Sequence, residues 1–330
     1  MKDSKRYKTF IDLFSGIGGF RIGMELANFV HVFSNDYDKF ANQTYAQWFG
    51  EDSHDPRSIW DISLDEIPSH DILCGGFPCQ PFSNAGKKLG FLDPSQGNLF
   101  ERIEQIIDAK KPKVIFLENV RTLVTHDGGR TMNIIDSKLQ DLGYCGAREI
   151  INAKFWVPQN RYRVFLVYFL ENQEAANYMK QELKTIKESH GRKAKKLSSI
   201  LEENPDKSYE LPDGTWKALQ RHKERHKGKT GFGYSLIKDF SKCSNTLSAR
   251  YAKDGAEILI KQRYWRRPRR LTLNEARALM GFDNDLAMKY GFIEGFPTNI
   301  CSRAQHYKQF GNAVVPRIVA DIAQKINKFI

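Results

Sequence analysis

Cys79 stands inside Gly76-Phe77-Pro78-Cys79-Gln80-Pro81-Phe82-Ser83, just after the short apolar run 71–74. A thiol on a loop that leaves a strand, flanked by Pro-x-Gln-Pro, is placed for reaction, whereas Cys74 inside the run reads as a packing group. A free thiol with a pKa of ~8.5 is only a few per cent ionised at neutral pH, so Cys79 needs local positive potential to act as a nucleophile. Glu118 follows a second apolar run, 114–117, which brings its carboxyl to the same edge. An acid there can give a proton or a hydrogen bond as negative charge builds on a substrate. Upstream, 9–14 runs straight into Ser15-Gly16-Ile17-Gly18-Gly19, whose glycines let the backbone approach a ligand closely. Asp36 ends the next such run, where an acid can bind ribose hydroxyls. The GxGG spacing departs from GxGxxG, which speaks against a dinucleotide and leaves another adenosine cofactor open.

These residues need a scaffold that brings them to one edge. Segments 9–14, 30–34, 71–74, 114–118 and 164–169 read as strands, and 20–27, 37–49, 99–109 and 132–142 as the helices between them. That alternation implies an α/β fold, a mostly parallel sheet with helices on both faces that binds ligands at the carboxyl ends of its strands. From about residue 171 the pattern dissolves into lysine-rich helix and loop, with turn signals at Pro212-Asp213-Gly214 and 229–233. Regular pattern returns in a helix over 272–280, opened by Thr272 with Glu275 at the capping-box spacing, and in a last helix over 316–326.

Composition bounds the rest. A chain of 330 residues, 41% apolar and 27% charged, suggests about two domains and a sizeable core. No apolar run approaches the ~18 residues of a membrane span, and Asp3 and Asp12 would interrupt a signal peptide. Five irregularly spaced cysteines argue against a disulfide scaffold and a CxxC zinc site. The expectation is a soluble, cytoplasmic protein without a metal. Of the formal net charge of +12, the whole excess lies in 180–270, with 24 basic and 11 acidic side chains. A basic segment beside a neutral remainder is the footprint of a polyanion reader, and Arg263-Tyr264-Trp265-Arg266-Arg267-Pro268-Arg269-Arg270 favours nucleic acid. His222 and His226, one helical turn apart, lack the HExxH order and a third ligand.

Asp12-Leu13-Phe14-Ser15-Gly16-Ile17-Gly18-Gly19 resembles the opening motif of the DNA (cytosine-5) methyltransferases of bacterial restriction-modification systems. The resemblance recurs in order. The segment around Cys79 resembles the nucleophile motif, Glu118-Asn119-Val120 the acid motif, and Gln159-Asn160-Arg161-Tyr162-Arg163 the QxRxR motif. Arg270-Leu271-Thr272 with Glu275, and Gln309-Phe310-Gly311-Asn312-Ala313-Val314-Val315, resemble the last two. The resemblance implies a Rossmann-like S-adenosylmethionine-dependent sheet over 1–180 and 305–330, a smaller basic target-recognition domain over 181–270, and a hinge region over 271–304. It implies that Cys79 adds to C6 of a cytosine rotated out of the duplex, that Glu118 serves N3, that Arg163 contacts the pyrimidine, and that Arg161 steadies the site or a phosphate. Phe14 and Tyr37 would lie against the adenine, Asp36 would hold the ribose, and Asp61 with Ile62 would line the adenine pocket. Gly16, Gly18, Pro78, Leu99, Asn312 and Ala313 would complete the cofactor site. The polar stretch 80–98 looks like the loop that closes over the target, with Gln80, Ser83 and Lys87 on DNA. Gln96 stands where the family often has arginine.

Residues 245–260 resemble the recognition domains that act on CCGG, CCWGG and CCNGG, which makes Arg250, Lys253 and Asp254 candidate base readers. Expected partners are double-stranded DNA, bound by a monomer, and a separate cognate restriction endonuclease; the protein would associate with the nucleoid through DNA. A tRNA methyltransferase on the same fold is the second reading, opposed by the discrete basic segment and the GFPCQPFS form. A DNA-binding protein with a silenced fold is the third, opposed by the intact Cys79, Glu118 and Arg163.

Overall fold

The computed structural model describes residues 7–52, 54–78, 99–188, 191–227 and 233–330. β1 (Thr9–Leu13), α1 (Gly19–Leu26), β2 (Val30–Asn35), α2 (Lys39–Phe49), β4 (Ile72–Gly75), α3 (Leu99–Lys110) and β5 (Val114–Val120) follow the expected alternation, with an unexpected two-residue edge strand, β3 (His54–Asp55), between α2 and β4. α4 (Arg130–Asp141), β6 (Tyr144–Asn152) and β7 (Tyr162–Leu170) complete a seven-stranded sheet of order β3-β2-β1-β4-β5-β7-β6. Strands β1 to β5 pair in parallel, and β7 runs antiparallel to both neighbours. Then come α5 (Gln173–Lys187), α6 (Asp213–Arg225), β8 (Leu236–Ile237), α7 (Tyr251–Asp254) and β9 (Leu259–Ile260). α8 (Leu273–Leu279), α9 (Asn284–Lys289), α10 (Arg303–Asn312) and α11 (Pro316–Ile326) follow.

Strand alternation splits the core into two layers. Phe10, Cys74, Phe116 and Val167 face one side with residues of α1, α5 and α11; Ile11, Leu73, Leu117 and Leu166 face the other with α3 and α4. Gly23 lets α1 approach α11, because a Cβ there would lie 2.4 Å from Val319 Cβ. No helix among the described residues is long and apolar enough to cross a membrane.

Besides the two-residue β3, two elements depart from the sequence pattern. β6 was hidden because Gly146, Arg148 and Glu149 break its apolar alternation; as an edge strand it needs only one paired neighbour. Gly146 is required there, since a Cβ would meet Val167 O at 2.4 Å. α5 was absorbed into the lysine-rich region. The Asn172 side chain caps it, and Ala175, Ala176, Met179, Leu183 and Ile186 are buried, with the lysines on the remaining face.

The basic segment is joined to the core by a buried ion pair. Arg269 donates to both carboxylate oxygens of Glu275, at 2.6 and 2.8 Å, and both side chains are fully buried. Glu275 closes the expected capping box with Thr272, and its Oε1 also accepts from Glu202 N at 2.9 Å. Removing one partner of such a pair strands a charge, at a typical cost of ~3–5 kcal/mol. Arg269→Met should therefore lower unfolding free energy by about that amount in urea titration; a loss below about 1 kcal/mol would show the pair to be dispensable.

Candidate active site

β4 ends at Gly75, which pairs with Leu117 of β5, so the chain after β4 and the end of β5 leave the sheet side by side. Asn119 Nδ2 donates to Phe77 O at 2.8 Å, and both residues are buried. This bond docks the strand-exit segment Gly76–Phe77–Pro78 onto the acid strand. A Cβ on Gly76 would lie 3.5 Å from Glu118 Oε2, so the carboxyl is adjacent to that segment. Pro78 is exposed at its end. Cys79, Gln80, Ser83 and Lys87, with the rest of 80–98 including Gln96, lie outside the described residues. Cys74 is fully buried in β4, and burial pushes its thiol well up, in keeping with a packing group.

Glu118 is buried, and Arg163 Nε lies 3.0 Å from its Oε1. The N–H is not aligned for a hydrogen bond, so Oε1 keeps a free acceptor position. Burial raises the Glu118 carboxyl above its ordinary range, outweighing the pull of Arg163 and Arg161. A raised carboxyl suits a group that must hold a proton near neutrality. Arg161 is 1% exposed and donates to Leu247 O, Gly311 O and Ala313 O at 3.0, 2.9 and 2.8 Å. Of its two expected roles, the phosphate contact is therefore corrected: three carbonyls hold the guanidinium inside the protein. Gln159, also fully buried, donates to Leu279 O at 2.7 Å and accepts from Leu247 N at 2.9 Å.

The glycine-rich turn opens beside this site. Phe14, Gly16 and Gly18 all have positive φ, and Phe14 carries that strain as a non-glycine residue. A Cβ added at Gly16 would meet nothing within 4 Å, so space lies over the turn. Asp36, half-buried, accepts from Gly16 N and Asp38 N, each at 2.8 Å, which fixes its carboxylate at the end of β2. Tyr37 is 73% exposed beside it. Asp61 is exposed, Ile62 is buried among core residues, Leu99 opens α3, and Asn312 and Ala313 end α10. Asp12 and Ser15 are buried with side-chain oxygens that lack hydrogen-bond partners, and burial pushes the Asp12 carboxyl well up. Orphaned acceptors under an open glycine turn, with a fixed carboxylate alongside, fit a ligand carrying an amine and a hydroxylated sugar.

The basic segment presents a second surface. Its stretch 244–247 is bonded to the QxRxR strand entry: Asn160 N donates to Ser244 O at 2.8 Å, and Thr246 Oγ1 to Asn160 O at 2.5 Å. Fully buried Tyr251 donates to Ile258 O at 2.8 Å and seats α7. Arg250 and Lys253 are exposed around it; Asp254 is half-buried, and its Oδ1 accepts from Ala256 N at 3.0 Å. Arg263, Tyr264 and Arg266 of the arginine-rich stretch are exposed, whereas Arg269 is buried on Glu275. The rings of His222 and His226 lie tilted against each other, with centroids 4.4 Å apart.

Linkage gives Glu118 a pH signature. With its folded pKa raised, its contribution to stability is largest below the unfolded carboxyl value of ~4.3 and is lost as pH rises through the folded value. Glu118→Gln removes that loss. The variant should gain stability relative to the parent in urea titrations from about pH 4 to about pH 8; a constant difference would contradict a raised carboxyl.

The profile of the C-5 cytosine-specific DNA methylases matches residues 8–328. The chain is 42% identical to Type II methyltransferase M1.ScrFI of Lactococcus lactis subsp. cremoris over 98% of this chain and 79% of that protein. It is also 42% identical to Type II methyltransferase M.NlaX of Neisseria lactamica, over 96% and 95%. The crystal structure of S. pombe Dnmt2 methyltransferase shares the fold, with a TM-score of 0.76 and 19% identity over 97% of this chain and 99% of that one. The match over nearly all the chain shows that it belongs to the C-5 cytosine-specific DNA methylase family.

Proposed function

We propose that this chain methylates C5 of a flipped-out cytosine in duplex DNA through a covalent bond between Cys79 Sγ and C6. In this reading it acts at sites of the CC(N)GG type and protects host DNA from a separate restriction endonuclease. The observation that carries the chemistry is the Asn119–Phe77 bond, which docks the backbone leading to Cys79 beside the buried Glu118 carboxyl. The Type II names of M1.ScrFI and M.NlaX support the modification role.

The family's cofactor is S-adenosylmethionine, which when bound supplies an electrophilic methyl group for C5. Asp36 would hold the ribose, Phe14 and Tyr37 the adenine faces, and Asp61 with Ile62 the adenine edge. Gly16, Gly18, Pro78, Leu99, Asn312 and Ala313 would enclose the rest. Cys79 Sγ forms its bond to C6 as the C5=C6 π bond opens, leaving the electron pair at C5. Glu118 holds a proton at N3 while that charge develops, and Arg163 orients the ring. The pair at C5 would take up the methyl group with S-adenosylhomocysteine as the leaving group. The C5 proton then leaves to a solvent base, the C5=C6 bond re-forms and the C6–S bond breaks, returning its electron pair to Cys79 Sγ.

On the DNA side, the basic segment 181–270 supplies phosphate contacts, Arg250, Lys253 and Asp254 read base edges, and Gln80, Ser83 and Lys87 touch the strand near the target. A monomer suffices for this arrangement. Extruding the base costs a few kcal/mol, which closure around it must offset.

DNA with 5-fluorocytosine at the target should trap a covalent complex, because fluorine cannot leave as the proton does. Cys79→Ser should abolish trapping and Cys74→Ser should retain it; an adduct with Cys79→Ser would assign the nucleophile elsewhere. In a binding panel of CCGG, CCWGG, CCNGG and scrambled duplexes, Arg250→Ala should lose ~1–3 kcal/mol on the cognate site and little on scrambled DNA. Equal loss on both would make Arg250 a phosphate anchor, and no preference for any CC…GG duplex would remove the site class.

A further inference from the structure

Residues 57–63, between β3 and the short turn of helix at Leu64–Glu66, form no helix or strand, yet they carry Asp61 and Ile62. What fastens this segment is a guanidinium from α3. Arg102 is 8% exposed; its Nε donates to Ile59 O at 3.1 Å and its Nη2 donates to Ile62 O. Its Nη1 donates to Gln105 Oε1 at 2.7 Å, and its guanidinium carbon lies 5.8 Å from the Trp60 ring centroid. Each of these hydrogen-bond partners is a neutral oxygen. A planar fork can hold two carbonyls at a fixed separation, whereas a single ammonium cannot do so in the same geometry. Within the segment, Asp61 N donates to Ser58 O at 2.9 Å and Trp60 N to Ser58 Oγ at 3.4 Å, and Ile59 and Ile62 are buried in the core, so Arg102 acts with these to fix where residues 59–62 sit.

We propose that Arg102 is a positioning residue for the adenine pocket: by clamping the carbonyls of Ile59 and Ile62 it sets the Trp60–Asp61 bend that presents the Asp61 carboxylate to the base's exocyclic amine. This rests on the reading that Asp61 and Ile62 line that pocket. Arg102 reaches it from α3, the helix whose Phe100 packs on Phe77, with ring centroids 5.8 Å apart. The wall of the adenine pocket and the segment leading to the nucleophile therefore share one support.

The test is calorimetric binding of S-adenosylhomocysteine and of S-inosylhomocysteine, which lacks the amine, to the full chain and its variants. Arg102→Ala should weaken S-adenosylhomocysteine about tenfold, ~1.4 kcal/mol, and Arg102→Lys nearly as much. Both should keep cofactor-free DNA affinity within about twofold. The preference for the adenosyl over the inosyl ligand should shrink in Arg102→Ala as it does in Asp61→Ala. The double variant should bind no worse than the weaker single one, because both changes remove the same contact. Unchanged affinity in Arg102→Ala, an undiminished adenosyl preference, or additive losses with Asp61→Ala would overturn the proposal. Unchanged affinity in Asp61→Ala would overturn the pocket reading, and this role with it. If Arg102→Ala does not fold, Arg102→Lys carries the same test, and undiminished binding there rejects the clamp.

Discussion

A buried guanidinium ties together the parts of this protein that must act on one base. Arg161 enters from the start of β7's motif and spends its donors on carbonyls of Leu247, Gly311 and Ala313. Those oxygens belong to the basic segment, at Leu247, and to the turn that ends α10. A buried charge is costly unless its donors are met. The two Nη groups of Arg161 meet three carbonyls, while its Nε has no hydrogen-bond partner, so the cation and the three backbone segments stabilise one another's positions through the Nη bonds. Gln159 repeats the arrangement one step away, joining Leu247 to the end of α8. Gly311 shows how close the segments run: a Cβ there would lie 2.3 Å from the backbone of Ser248 and Ala249.

The same clamp sets the electrostatics of the acid. Glu118 lies where one arginine is in contact and a second is behind it, yet burial prevails and its carboxyl is raised. The cost of burial exceeds the pull of Arg163, 3.0 Å away, and of Arg161, both of which favour the ionised form, and leaves the carboxyl raised. The sheet supplies the other half of the arrangement. Parallel strands β1, β4 and β5 end together, placing the glycine turn, the chain leading to Cys79, and Glu118 along one edge.

Much of this was legible beforehand because it is local. Apolar runs with glycine exits specify strand ends, Thr272 with Glu275 specifies a capped helix, and ordered short motifs specify the chemistry. The unread elements were those whose stability comes from neighbours: β6, interrupted by Gly146 and charged residues, and α5, whose apolar stripe is diluted by lysines. Arg102 and Asn119 were missed as supports for a related reason. A side chain that hydrogen-bonds to backbone carbonyls distant in sequence leaves no pattern of residue types, because every residue has a carbonyl.

By itself, then, the sequence determined the family motifs and their order, the strands β1, β2, β4 and β5 with the helices between them, and the segment that carries the positive charge. Tertiary structure decided which of those charges face outward. Arg161 and Arg269 look no different in the chain from Arg163 and Arg266, but they are enclosed, one on three carbonyls and one on Glu275. Exposure is a property of packing between distant segments, and an arginine's role follows from whether water or protein surrounds its guanidinium.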